Sequence, residues 1–299
     1  MRLTDWIRLT VLGAVWGASF IFMRVLAPVL GPVFTTEVRV ATGGLTLLLY
    51  FLIIRFNPRW NEHWRHYLII GAFNVALPFI LFSFAAQHVP ASYSAIINSM
   101  TPLFGTLFSA VWLGEVLTKS KLTGLALGIA GVVIIGKGAE GVLPTPQLLV
   151  SILACLAAAA SYAGAGIYIK RFATGVNPLG SAGCAQLVAA VALLPFCLVA
   201  QPAVVMTWTI VLNVAGIGIL SSALGFVLYF RLVKDVGPSR AMMVAFLTPL
   251  FGLLWGTMFL GEPLTAPTVI GCAMIIGAIG LIVRPSPMSQ PATDGVVGR

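Results

Sequence analysis

Charge is what this sequence has least of: Asp, Glu, Lys and Arg together make up 8% of 299 residues, against about a quarter in ordinary soluble domains. So few charges cannot wet the surface of a soluble fold of this size, which excludes that class. Acids are the scarcest, eight in all, and Glu37 alone lies clearly within an apolar run. No Asp pair, no His/Glu set of metal-ligand spacing and no Ser-His-Asp set is visible, so neither an enzyme nor a bound metal or organic cofactor is expected. Cysteine is equally sparse. Cys155, Cys184, Cys197 and Cys272 all fall inside apolar runs without a Cys-x-x-Cys pair, and read as small apolar residues, not as disulfides or ligands. Clustered basic residues are missing too. The seventeen Lys and Arg are scattered singly between apolar runs, which is not the footprint of a nucleic-acid-binding face.

What is present is apolar sequence. Hydrophobic residues reach 59% and mean hydropathy is +1.03, the composition of a chain that crosses the bilayer many times. Cutting at charged, Pro and Gly clusters leaves runs near 8–28, 33–54, 67–87, 92–113, 120–136, 147–169, 178–200, 208–230, 240–260 and 266–283. Each is close to the ~20 residues a helix needs to cross the hydrocarbon. The expected fold class is therefore an all-α membrane protein of ten spans. With the N-terminus inside, all Lys and Arg except Lys137, Arg24 and Arg39 fall on inside segments, so both termini are expected to be cytoplasmic. The tail 285–299, PSPMSQPATDGVVGR, reads as a disordered cytoplasmic end.

The pentapeptide TPLFG occurs at Thr101–Gly105 and again at Thr248–Gly252. Extending the copies at the same spacing aligns TPLFGTLFSAVWLGEVLT with TPLFGLLWGTMFLGEPLT, and a spacing shorter by one residue sets Trp16 on Tyr162, Phe22 on Tyr168 and Pro32 on Pro178. The chain is thus expected to be two five-helix halves, 1–140 and 141–284. Five is odd, so the second half enters the membrane from the opposite side. An inverted repeat around one central site is the architecture of alternating-access carriers.

These features carry a resemblance. Ten spans in a 5+5 repeat, the paired P…LGE.LT ends of helices 4 and 9, WGASF at Trp16–Phe20, Arg39, and glycine-rich helices 5 and 10 after LGE resemble the drug/metabolite transporter superfamily, specifically its EamA-type members. The resemblance implies an exporter of small metabolites in a bacterial inner membrane, most similar to exporters of amino acids, including aromatic ones. Drugs, nucleosides and sugars remain alternative cargoes within the superfamily, and a channel or a membrane enzyme is the less favoured alternative. The implied partners are a small-molecule substrate and the lipid bilayer, without nucleic acid, and the chain can act as a monomer.

Candidate binding residues are the polar and aromatic side chains at mid-membrane depth, since polar groups in hydrocarbon face the bundle interior. They are Trp16, Ser19 and Phe20 in helix 1, Asn74 and Pro78 in helix 3, Asn98 and Thr101 in helix 4, and Tyr162, Gln186, Ser221 and Ser222 in the second half. TPLFG and LGE as motifs are not required to touch a ligand. Pro102 and Pro249 predict kinks, and Gly13/Gly17, Gly124/Gly128 and Gly252/Gly256 predict close helix seams. Glu115 and Glu262 read as solvated caps beside Thr118 and Thr265. Counting residues from the 1–2 turn puts Arg24 and Glu37 at similar depth, so an outer-side ion pair is expected between them. Arg39, about 200° round the helix from Glu37, is a candidate contact for a substrate carboxylate.

Overall fold

The computed structural model describes residues 1–138, 145–199 and 204–283. The expected tail and the junction between the two halves lie outside them. Every regular element among the described residues is helical. Nine helices are long and apolar enough to span a membrane: α1 Leu3–Leu30, α2 Pro32–Ile53, α3 Trp60–Ala85, α4 Ala91–Leu113, α5 Lys119–Gly138, α6 Pro146–Phe172, α7 Pro178–Val199, α8 Trp208–Val236 and, omitting the ninth in chain order, α10 Ala266–Val283. The ninth, α9 Val244–Leu260, is a shorter apolar helix preceded by a single turn at Pro238–Ala241. This is a multi-pass membrane protein.

Local chemistry explains the boundaries. Gly31 takes φ +77° to end α1, and Pro32 starts α2 where a missing N–H is harmless. Gly114 and Gly261, the glycines of the two LGE motifs, stop α4 and α9 in the left-handed conformation. Two spans carry irregular middles. Gly71–Ala76 of α3 and Gly216–Leu224 of α8 wind as π-helix, at corresponding places in the two halves, and α4 breaks at Ser99–Met100 just before Pro102. Such stretches loosen the backbone ladder and re-aim side chains, and π-bulges are common at functional sites.

The principal helix pairings recur when the halves are exchanged. Helix α1 packs on α8 and α9 as α6 packs on α3 and α4, while α2 pairs with α7, α4 with α9 and α5 with α10. These corresponding partners cross antiparallel. Gly44 meets Leu187 while Gly183 meets Leu47 and Phe51; Ser120 Oγ donates to Leu281 O at 2.8 Å while Gly131 lies against Ile275. Ser92 meets Glu262 while Ser99 Oγ donates to Ala245 O at 3.4 Å.

The small-residue pairs sit at these crossings. A Cβ on Gly17 would stand 2.8 Å from Phe251 Cβ and 2.9 Å from the Gly252 backbone nitrogen, so α1 and α9 are in backbone contact there. Gly17→Val must therefore separate the two helices, at an overpacking cost of about 1–3 kcal/mol. We expect the thermal midpoint in detergent to fall. Gly105→Ala, where nothing lies within 4 Å, is the control and holds or raises it. Equal behaviour of the two would refute the seam.

Candidate functional site

A cavity of about 450 Å³ lies among α1, α2, α3, α4, α6, α8 and α9. Its surface is mostly apolar and includes seven aromatic side chains. Of the residues expected from the sequence, Trp16, Ser19, Phe20, Asn74, Asn98, Thr101, Tyr162 and Ser221 line it, as does Arg39. Asn74 and Ser221 are presented by the two π stretches, and Asn98 and Thr101 flank the break in α4. The irregular backbone thus coincides with the cavity wall, as required where non-helical chain lies at membrane depth.

Arg39 is the only charged residue in this lining, and it is 6% exposed. Its Nε donates to Ser222 Oγ at 3.1 Å, Nη1 lies 3.7 Å from the Met23 sulfur, and the guanidinium sits 3.6 Å above the Phe79 ring. Ser222 Oγ in turn donates to the Ile217 carbonyl at 3.0 Å, the five-residue span of π winding. The cation is therefore held in place by a hydroxyl and an aromatic face. Among the described residues it has no carboxylate partner. Next to it Tyr162 packs edge-on to Phe79 and stacked with Phe82, and Phe20 meets Phe82 edge-on. Elsewhere in the lining Trp16 contacts Phe226 and Tyr229. The hydroxyls are largely committed to the backbone: Ser221 Oγ donates to Val15 O, Thr101 Oγ1 to Asn98 O and Thr248 Oγ1 to Val244 O.

The cavity is closed at one end. Toward Glu262 the space between α1, α3 and α4 is filled by Leu26, Val89, Ile96 and Ile97, all fully buried. Gly166, Tyr229 and Met242 carry the lining toward the Glu115 end.

Several expectations need correction. Pro78 is buried away from the cavity, because one residue of helix turns it about 100° from Phe79, which does line it. Gln186 is 0% exposed, donates to Ala182 O at 3.1 Å and packs on Gly43 in the α2–α7 seam. Ser222 supports Arg39 from behind and does not reach the cavity.

The Arg24–Glu37 ion pair is absent. Arg24 Nη1 donates to the Ala86 carbonyl at 2.7 Å, where an orphaned α3 C-terminal oxygen is the nearer acceptor. Glu37 is buried, and its Oε2 is without a donor. Nor are both LGE carboxylates plain caps. Glu262 accepts from Ala91 N, Ser92 N and Ser92 Oγ at the start of α4, and Glu115 pairs with Lys170 at 3.2 Å and Lys121 at 3.6 Å. TPLFG itself does reach the cavity, through Thr101, Pro102 and Thr248. Thr248 was readable from the repeat, as the counterpart of Thr101. Phe79, Phe82, Phe226 and Tyr229 carried no signal beyond aromaticity within a span.

Because Glu37 lies outside the cavity and its Oε2 has no donor, Glu37→Gln removes a poorly solvated carboxylate and no ionic bond. Substrate exchange is expected to persist and the thermal midpoint to hold or rise. Loss of proton-driven flux alone, with folding intact, would instead make Glu37 a coupling group.

The EamA-like transporter family matches this chain twice, at residues 5–137 and 149–284. The chain is 27% identical over 290 residues to the uncharacterized transporter YvbV of Bacillus subtilis (strain 168), covering 96% of this chain and 94% of that one. It is 26% identical over 219 residues to a probable terminal-alkyne amino-acid exporter of Streptantibioticus cattleyicolor, covering 72% of each. A solved crystal structure shares the fold with a TM-score of 0.65 at 21% identity, covering 94% of this chain and 96% of the other.

Proposed function

Since the chain belongs to the EamA-like transporter family, we propose that it exports small metabolites, amino acids and aromatic ones in particular, across a bacterial inner membrane. The observation that carries this reading is Arg39, a buried cation on the cavity wall without an acidic partner. An isolated charge is expensive in such a place unless something anionic joins it, and a guanidinium recognises a carboxylate bidentately. The aromatic walls suit a flat apolar side chain. A similarly low-identity relative named as an exporter of an amino acid points the same way.

In this proposal the halves 1–140 and 141–284 form an inverted repeat with both termini cytoplasmic. Glu262 and the start of α4 then lie outside, so the closed end faces out and the cavity opens inward. Alternating access exchanges the two closures about the central site.

The test is counterflow of radiolabelled amino acids in proteoliposomes, challenged with sugars, nucleosides and cationic drugs. Competition by amino acids alone supports the assignment. Competition by cationic drugs without amino acids would overturn it in favour of a drug exporter.

A further inference from the structure

The charge balance of the cavity specifies the cargo more narrowly than its shape does. Arg39 contributes one positive charge, and none of the other lining residues is an Asp or Glu that could offset it or a Lys or Arg that could add to it. A monocarboxylate brings that balance to zero. A zwitterionic amino acid leaves one net positive charge, and a cation leaves two. Ionic groups shielded from water are costly unless matched, and an ammonium would find neutral amides and hydroxyls, such as those of Asn74, Asn98 and Ser19, and ring faces in this lining, but no carboxylate.

We propose, on the reading of this cavity as the transport site, that its preferred cargo is a monoanion: a carboxylate on a flat apolar body, with the amino group dispensable. The cavity then accepts zwitterionic amino acids second and rejects amines. A mechanism of export follows from the same balance. With Arg39 of α2 held in place by Ser222 of α8 and Phe79 of α3, the charge that crosses the membrane is the cargo's own. A cell interior at negative potential expels an anion, so the membrane potential drives its efflux with no coupled ion. The ratio attainable is about fifty-fold per 100 mV for one charge.

The experiment uses the full chain in proteoliposomes beside protein-free vesicles, with three probes of one carbon skeleton: 3-phenylpropionate, phenylalanine and phenethylamine. The expected order of competition is 3-phenylpropionate first, phenylalanine about tenfold weaker, and phenethylamine inactive. A valinomycin-imposed, inside-positive potential of about 100 mV should concentrate 3-phenylpropionate by about fifty-fold and leave phenylalanine accumulation unchanged. In Arg39→Gln the preference for the anion over phenylalanine should disappear. If phenylalanine moves and 3-phenylpropionate does not, or if the potential does not affect the anion, the inference fails while the amino-acid reading survives. If none of the three moves, the transport reading fails and the inference with it.

Discussion

Arg39→Gln is expected to lower carboxylate flux by about a hundredfold, through KM more than kcat, while the protein folds as well as before or better. The expectation combines two opposite signs. A charge-assisted contact to an ionised group stabilises by about 1.5–3 kcal/mol, and a carboxylate bound by both arms of a guanidinium loses two at once, so even the lower end of that range gives roughly two decades of affinity. The empty protein, in contrast, is relieved of a cation that is 6% exposed and has no acidic partner in the cavity. Flux and thermal midpoint should therefore separate. Arg39→Lys keeps the charge but forfeits the Nε bond to Ser222 and the planar stacking on Phe79, so it should fall between. Arg24→Gln removes only a bond to the Ala86 carbonyl and is the control with flux retained. Wild-type KM in Arg39→Gln would show that Arg39 is not the pole of the cavity that binds the carboxylate.

The difference between Arg39 and Arg24 also marks how far a sequence can be read. Both are intramembrane cations near a turn, and depth alone made Arg24 the partner of Glu37. Depth is legible because a helix rises by a fixed amount per residue. Which way the side chain points depends on how the helix is rotated against its neighbours, and that is decided by packing across the whole bundle. The spans were legible because an apolar run of membrane length has few alternatives. TPLFG and LGE each stand twice in the chain, which is why a duplication is expected from the sequence. Trp16, Asn74 and Tyr162 were legible as polar or aromatic groups where lipid would reject or ignore them. Gln186 met the same criterion and went to the α2–α7 seam instead, where Gly43 leaves it room. The π winding of α3 and α8 had no signature in the residues, yet it determines that Asn74 and Ser221 reach the cavity while Ser222 turns behind it.

Glu262→Ala is expected to shift the protein toward the conformation in which the Glu262 end is open. Its carboxylate accepts three donors from the start of α4: the Ala91 and Ser92 backbone N–H groups and the Ser92 hydroxyl, the last at 2.6 Å. The positive end of a helix and ionised acceptor chemistry both favour this contact. It ties α9 to α4 across the two halves, on top of the buried Leu26, Val89, Ile96 and Ile97. Losing it should move the ratio of the two conformations by about a hundredfold. The repeat supplies a counterpart at the other end: Glu115 stands to Glu262 as Ser239 stands to Ser92 in the aligned halves. In the structure Glu115 is engaged with Lys121 and Lys170 at an exposed site, contacts worth little in water. If Glu115 takes up the Ser239 segment when the bundle rocks, Glu115→Ala should shift the ratio in the opposite direction. Spin labels at His88 and Leu264 report one end and labels at Val116 and Arg240 the other, all four positions being exposed. Glu262→Ala should lengthen the first distance and shorten the second, and Glu115→Ala should favour the reverse. Shifts of the same sign in both variants would show that the two carboxylates stabilise the fold and do not select between its states.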